Sequence, residues 1–210
     1  MKKGTVLITI LLFVFSCKNK NTGNLASQPT HSGVTQAIIL PNYPLWILNR
    51  LALIKINENL KQTDKQVFKL YRTSTTKTAY ASVNNIPVIF GNIYRASVLV
   101  RKDELLGGSF GLRIIGEYPN RVDAVYDLEN GILKGVADVG NFSNGDAKIE
   151  DVGEGWFKCS LTAKLNADLI KIILGPTSGL GKIITWEGIT AEKSSVYIIP
   201  SSLVLEELAQ

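Results

Sequence analysis

Between Ala147 and Leu161 the chain reads Ala-Lys-Ile-Glu-Asp-Val-Gly-Glu-Gly-Trp-Phe-Lys-Cys-Ser-Leu. Two strand-forming runs flank Gly153-Glu154-Gly155, and a large aromatic heads the second, so the segment reads as a β-hairpin closed by a tight reversal. Phe157, Cys159 and Leu161 alternate with Lys158 and Ser160, which gives the returning strand one apolar and one polar face. A hairpin of this kind has to sit in a sheet, and the rest of the chain must supply the other strands.

It supplies them at even spacing. Val67 to Thr73, Lys77 to Val83, Tyr94 to Arg101, Phe110 to Ile115, Val122 to Leu128, Ile132 to Val136, Leu169 to Leu174, Ile183 to Ile189 and a run near Leu203 to Leu205 all read as strands. They are bounded by turn residues such as Asn84-Asn85-Ile86-Pro87, Tyr118-Pro119-Asn120, Asn130-Gly131 and Asn144-Gly145. In Tyr94 to Arg101 the parity is clean, with Tyr94, Ala96, Val98 and Val100 on one face and Arg95, Ser97, Leu99 and Arg101 on the other. Many short strands without a long amphipathic helix predict an all-β fold of antiparallel sheets, a β-sandwich or jelly roll. Ala37 to Asp64 fits helical and extended periodicity equally well and reads as mixed.

The N-terminus stands apart from this pattern. Lys2 and Lys3 precede an apolar or small run from Gly4 to Phe15, shorter than the roughly 20 residues a membrane span needs and matched to the apolar region of a secretory signal. Val14-Phe15-Ser16-Cys17 resembles a bacterial lipobox, after which Cys17 would be the acylated first residue of the mature chain; an ordinary signal with an incidental Cys is the alternative. Lys18, rather than Asp, after Cys17 favours the outer membrane or cell surface by the same resemblance. Residues 17–36, rich in Asn, Ser, Thr and Gly, predict a flexible tether, and residues 37–210 the sandwich domain.

Composition then narrows the chemistry. The net charge of +5 falls to +3 without Lys2 and Lys3, and no element clusters basic residues as a nucleic-acid binder does, so no nucleic-acid partner is expected. The single histidine, His31, lies in the tether, which removes a Ser-His-Asp triad or a multi-histidine zinc site from the domain. With Cys17 acylated, Cys159 has no partner and reads as a small core hydrophobe. Gly175 to Lys182 looks like a phosphate loop but has five residues between its outer glycines and Ile183 after the Lys, so it is read as a plain loop.

Longer stretches carry a family resemblance. Tyr94 to Arg101, Tyr126-Asp127-Leu128-Glu129-Asn130-Gly131, Ile149 to Ser160, Trp186-Glu187-Gly188 with Ala191-Glu192, and Ser195 to Pro200 occur in an order that resembles jelly-roll carbohydrate-binding modules of the family 4/9 type and related domains of phage tail proteins. The likeness spans about residues 66 to 200; Thr190 and Ala191 stand where family members often carry Gln and Leu. It implies non-catalytic binding of a glycan or polysaccharide through partly exposed aromatic rings and polar side chains, with a structural calcium ion as a further implication.

Strand parity puts Arg95, Ser97, Arg101 and Arg113 opposite the core, and Lys158 and Ser160 opposite Phe157 and Cys159. Arg101, Arg113 and Lys158 are therefore candidate ligand contacts, together with Tyr80 and Tyr118 as accessible aromatics; a merely solvated face is the other reading of the same parity. Trp156 and Trp186 are expected in the framework. Glycoside hydrolysis needs two carboxylates flanking the scissile bond, whereas Glu150, Asp151 and Glu154 straddle a turn and Glu187 and Glu192 lack a partner at strand spacing, so no enzyme is expected. A structural or protein-interaction sandwich of a cell-surface assembly is the alternative to sugar binding.

Overall fold

The computed structural model describes residues 33–60, 65–178, 182–188 and 193–209. The signal segment, Cys17 and His31 lie outside the described residues. In chain order the strands are β1 (Val34–Ile38), β2 (Ile47–Asn49), β3 (Leu51–Leu60), β4 (Lys65–Arg72), β5 (Tyr80–Pro87), β6 (Ile93–Lys102), β7 (Ser109–Ile115), β8 (Arg121–Asp127), β9 (Ile132–Val139), β10 (Ser143–Gly153), β11 (Trp156–Lys164), β12 (Leu169–Thr177) and β13 (Ser195–Leu208), with a 3-10 turn at Ile183–Thr185. Among the described residues they form two antiparallel sheets. The seven-stranded sheet runs β10-β11-β6-β13-β4-β3 with β1 added to β13, and the six-stranded sheet runs β2-β5-β12-β7-β8-β9. From β4 onward the chain passes back and forth between them, and the orders β11-β6-β13-β4 and β5-β12-β7-β8 are those of a jelly roll.

The hairpin at the centre of the sequence closes as its residues require. Gly153 pairs with Trp156, and Gly153, Glu154 and Gly155 all have positive φ (90°, 54° and 74°), the left-handed region that two glycines enter without steric cost. From there β11 pairs with β6 in unbroken register, Cys159 opposite Val98 and Leu161 opposite Ala96. These residues point between the sheets and meet Leu112, Ile114, Val122, Ala124, Ile172 and Leu174 of the facing layer, all buried. Cys159 is free and inside this core, and burial pushes its thiol well up, as a small apolar residue rather than a nucleophile requires.

β13 is one strand of fourteen residues with an irregularity between Ile199 and Val204. There Ser202 Oγ accepts from Leu99 N (2.8 Å) and donates to the Ile199 carbonyl (2.6 Å), which keeps the backbone satisfied across the slip. Ahead of the slip β13 pairs with β4; beyond it, with β1.

Several local expectations change. Residues 34–36, expected in the tether, belong to β1, so the domain starts by Val34. The ambiguous segment from Ala37 is extended where it is regular, in β2 and β3. β5 starts at Tyr80, not Lys77. Asn130-Gly131 is half of a four-residue loop between Asp127 and Ile132, and only its Gly has positive φ (64°); the Asp127 carboxylate accepts Glu129 N (3.0 Å) and Asn130 N (3.2 Å) and shapes the turn. Ile183 to Ile189 is not a strand in its described part: residues 182–188 cross the outside of the six-stranded sheet and pack side chains onto it.

Candidate functional site

Residues directly opposite in an antiparallel pair share a face. With Cys159, Val98 and Ile198 inside, register places Trp156, Arg101, Tyr197, Lys69 and Ile54 in one row across the outer face of the seven-stranded sheet, one residue from each of β11, β6, β13, β4 and β3. The next row over carries Glu150, Lys158, Leu99 and Ile199. Trp156, 1% exposed, packs with Val67 and Ile199 in a small cluster on this outer face that Ile56, Leu99 and Tyr197 partly cover. It is framework, as expected, although outside the inter-sheet core.

The Arg101 guanidinium lies between two rings, 5.1 Å from the centroid of Trp156 and 4.8 Å from that of Tyr197. Cation–π attraction of this kind holds a planar donor group in a fixed plane along the sheet. Beside Tyr197, Lys69 Nζ lies 6.0 Å from the ring centroid and 2.5 Å from Asp103 Oδ2, which the Ser195 hydroxyl also donates to. Desolvation works to raise the Asp103 carboxyl, but the bonds from Lys69, Ser195 and Leu105 N, with the Lys69 charge, hold it below its ordinary value. The row is thus an aromatic and cationic platform with fixed geometry. Ser97 and Ser160, expected on the same polar face, are there but buried, Ser160 Oγ donating to the Lys148 carbonyl (3.4 Å).

Arg113 is corrected. Its parity is as read, opposite the core, but it belongs to β7 of the other sheet and is 3% exposed. The crossing segment covers it. Arg113 Nε donates to Asp123 Oδ1 (2.6 Å), Nη1 and Nη2 to the two Glu187 oxygens (2.8 and 2.9 Å), and Nη2 also to the Ile184 carbonyl (3.0 Å). Trp186 Nε1 donates to Asp123 Oδ1 (3.0 Å), and Arg121 Nε sits 3.3 Å from Asp123 Oδ2 as a charge contact rather than an aligned hydrogen bond. Burial pushes the Asp123 carboxyl up in spite of both guanidiniums; for Arg113, burial works against the charge and the two carboxylates outweigh it. Four of the five N–H donors of Arg113 are committed within the protein and the side chain is buried, so it is not placed to meet a ligand. Glu187, which sequence spacing left without a partner, is held by the same guanidinium.

The seat of Trp186 is cut by glycines. A Cβ at Gly111 would fall within 3.0 Å of three indole atoms, one at Gly135 would meet Ile183 at 3.2 Å, and one at Gly175 would touch Trp186 at 3.7 Å. Trp186 is buried, as expected of a framework residue, yet on the outside of the sheet with Val125 and Ile173 beneath it.

The five candidates therefore do not form one site. Arg101 and Lys158 share the outer face of the seven-stranded sheet as diagonal neighbours, Lys158 opposite Leu99 and Arg101 opposite Trp156. Tyr80 is half-buried against the Trp186 cluster. Tyr118 is exposed in the turn between β7 and β8. The residues missed on the platform are Tyr197 and Lys69. Their parity within Ser195 to Pro200 and Val67 to Thr73 was legible, but which strands lie side by side was not.

Among the described residues no three His, Cys, Asp or Glu side chains gather so as to hold a metal ion, so the calcium implied by the resemblance finds no acidic cluster there. An open groove of about 450 Å³ lies where β1 passes residues 87–89, lined by Ala37, Ile38, Ile39, Pro87, Val88 and Ile89. Its Glu207 carboxylate accepts from Asn92 Nδ2 (2.7 Å) and from the Tyr94 hydroxyl (3.3 Å), and its walls are largely apolar.

No family model matches the chain, and no curated protein matches it either. Among solved structures it is similar to the CBM22-1 and GH10 modules of the N-terminal endo-1,4-β-D-xylanase 10B of Clostridium thermocellum complexed with xylohexaose, at 13% identity and a TM-score of 0.45. The match covers 81% of this chain and 28% of that one.

Proposed function

We propose that this chain is a non-catalytic glycan-binding lipoprotein, held through Cys17 at the outer membrane or surface of a bacterium, and that the outer face of the seven-stranded sheet takes the sugar. The observation that carries this reading is the row Trp156, Arg101, Tyr197 and Lys69. A half-buried Tyr ring offers an apolar surface to a sugar face, and a guanidinium held against two rings sets a cationic plane of fixed orientation beside it. Lys158 on the adjacent row extends the donor set.

A glycan array probed with the detergent-solubilised full-length chain tests the function. Saturable binding to one glycan class supports it. Silence across the array favours a structural or protein-interaction sandwich instead. The anchor has its own test: Cys17→Ser removes the sulfur that a thioether-linked lipid needs and should release the protein from the membrane fraction or stop its processing, whereas unchanged detergent partitioning refutes lipidation.

A further inference from the structure

At one end of the sandwich the turn after β5 shows the solvent what turns usually hide. Asn92 N donates to the Ile89 carbonyl (3.2 Å) and Gly91 has φ of 82°, which puts Phe90 at the tip, 62% exposed, with Ile89 at 57%. Polar residues are the usual occupants of such a tip. The backbone beneath is braced: Ile89 N donates to the Tyr94 hydroxyl (2.8 Å), Gly91 N to the Leu165 carbonyl (2.7 Å), Leu165 N to the Asn92 carbonyl (2.9 Å) and Asn92 Nδ2 to Glu207 (2.7 Å). The exposure is therefore fixed by the fold and is not a frayed loop.

Two more exposed apolar side chains stand in line with it. Leu169 begins β12 opposite Pro87, and one strand further the β7–β8 turn carries Tyr118 at 78% exposure. The chain also enters the fold at this end. Gly33 O accepts Ala209 N (2.8 Å), Val34 pairs with Leu208, and Leu208 with Ile93, next to Asn92. Cys17 lies sixteen residues before Gly33, a length that reaches no more than about 58 Å even fully extended.

We propose that this end of the domain rests on the lipid bilayer, with Ile89 and Phe90 entering the boundary between headgroups and acyl chains and Tyr118 at the water interface. The proposal rests on the Cys17 anchor. Exposed apolar side chains presented together mark interaction surfaces, and aromatic residues favour the membrane interface. A lipid surface fits better than a protein partner: a stable protein interface needs roughly 800 Å² per side with a polar rim, which a line of four separate side chains does not provide. Tethering at the same end keeps the bilayer at high effective concentration, so a shallow, individually weak contact is enough to populate the docked state. With this end down, the strands stand off the membrane and the Arg101 face opens sideways.

The test uses the full-length chain as a bacterial host produces it, reconstituted in vesicles of phosphatidylethanolamine and phosphatidylglycerol containing phosphatidylcholine brominated near the glycerol end of its acyl chains. Fluorescence is read for Phe90→Trp and, at the opposite end of the sandwich, for Leu105→Trp, each as the difference from the parent protein, whose Trp46, Trp156 and Trp186 are buried. The signal added by Phe90→Trp should fall by about half or more in brominated vesicles while that added by Leu105→Trp is unchanged. Flotation of the protein with the vesicles but no quenching of Phe90→Trp, or equal quenching of both variants, overturns the docked orientation and leaves the anchor standing. A chain that does not float with vesicles overturns both.

Discussion

Gly111 is the position where a single methyl group should do most damage. Its Cβ would fall within 3.0 Å of Trp186 Cδ2, Cε3 and Cε2, and no positive φ complicates the substitution. The indole has little room to yield, because its Nε1 is bonded to Asp123 (3.0 Å) and the Trp186 carbonyl accepts the Thr177 hydroxyl (2.6 Å). Two responses remain. If Trp186 stays, backbone and rotamers strain by about 1–3 kcal/mol, the usual cost of overpacking; if it leaves, a buried Trp and a donor to Asp123 are lost, about 3–5 kcal/mol. Gly111→Ala should therefore cost about 3 kcal/mol, or about 6–12 °C in Tm for a domain of this size. Scanning calorimetry of the variant measures it, with Gly153→Ala as control. There φ is 90° and no atom lies within 4 Å, so only backbone strain applies, about 1–2 kcal/mol. In Gly111→Ala combined with Trp186→Ala the Gly111 cost should largely disappear, since the clashing ring is gone. A Gly111→Ala melting curve within about 1 °C of wild type refutes this packing of the crossing segment.

Other variants probe the two outer faces. Arg113→Ala leaves Glu187 without a guanidinium and buried Asp123 with only the unaligned Arg121 contact, and chemical denaturation should show a loss of about 3–5 kcal/mol, where an exposed Arg would lose less than about 0.5. Trp156→Ala should cost about 3–5 kcal/mol by the same measurement, because Val67 and Ile199 lose the ring that packs against them. The folded pKa of Asp103 lies below its ordinary value of 3.8, so its contribution is fully present above that value and is lost as pH falls through the lower, folded one. Asp103→Asn should therefore lower the melting temperature at neutral pH, with the gap to wild type closing in acid; a gap that widens toward acid contradicts the assignment.

The layering of this fold was readable because alternation survives without knowledge of neighbours. The faces of β6 and β11, the core position of Cys159 and the reversal at Gly153 to Gly155 all follow from a period of two and from glycine's access to positive φ. What alternation cannot say is what covers the outer side. Arg113 and Arg101 have the same signature in sequence, a cation at an outward position of a strand. One is sealed under Trp186 and Glu187, 74 residues further along the chain, and the other lies between two rings on the opposite sheet. Nor does an apolar run reveal whether it pairs: Ile183 and Ile184 read as strand, but the segment lays Ile183 and Trp186 on the glycine-cut surface of the six-stranded sheet and leaves Ile184 exposed. Tyr197 stood within a recognisable closing motif, and its role as the platform ring required knowing that β13 lies beside β6.

The most direct measurement is isothermal titration calorimetry of wild type and Arg101→Ala with the glycan that the array identifies. Removing the guanidinium from between Trp156 and Tyr197 costs about 1–2 kcal/mol of stability, so the variant remains folded and its melting curve serves as control. A site on this face requires the affinity to fall at least several-fold. Equal affinity in both proteins places the sugar elsewhere and contradicts the assignment of this face.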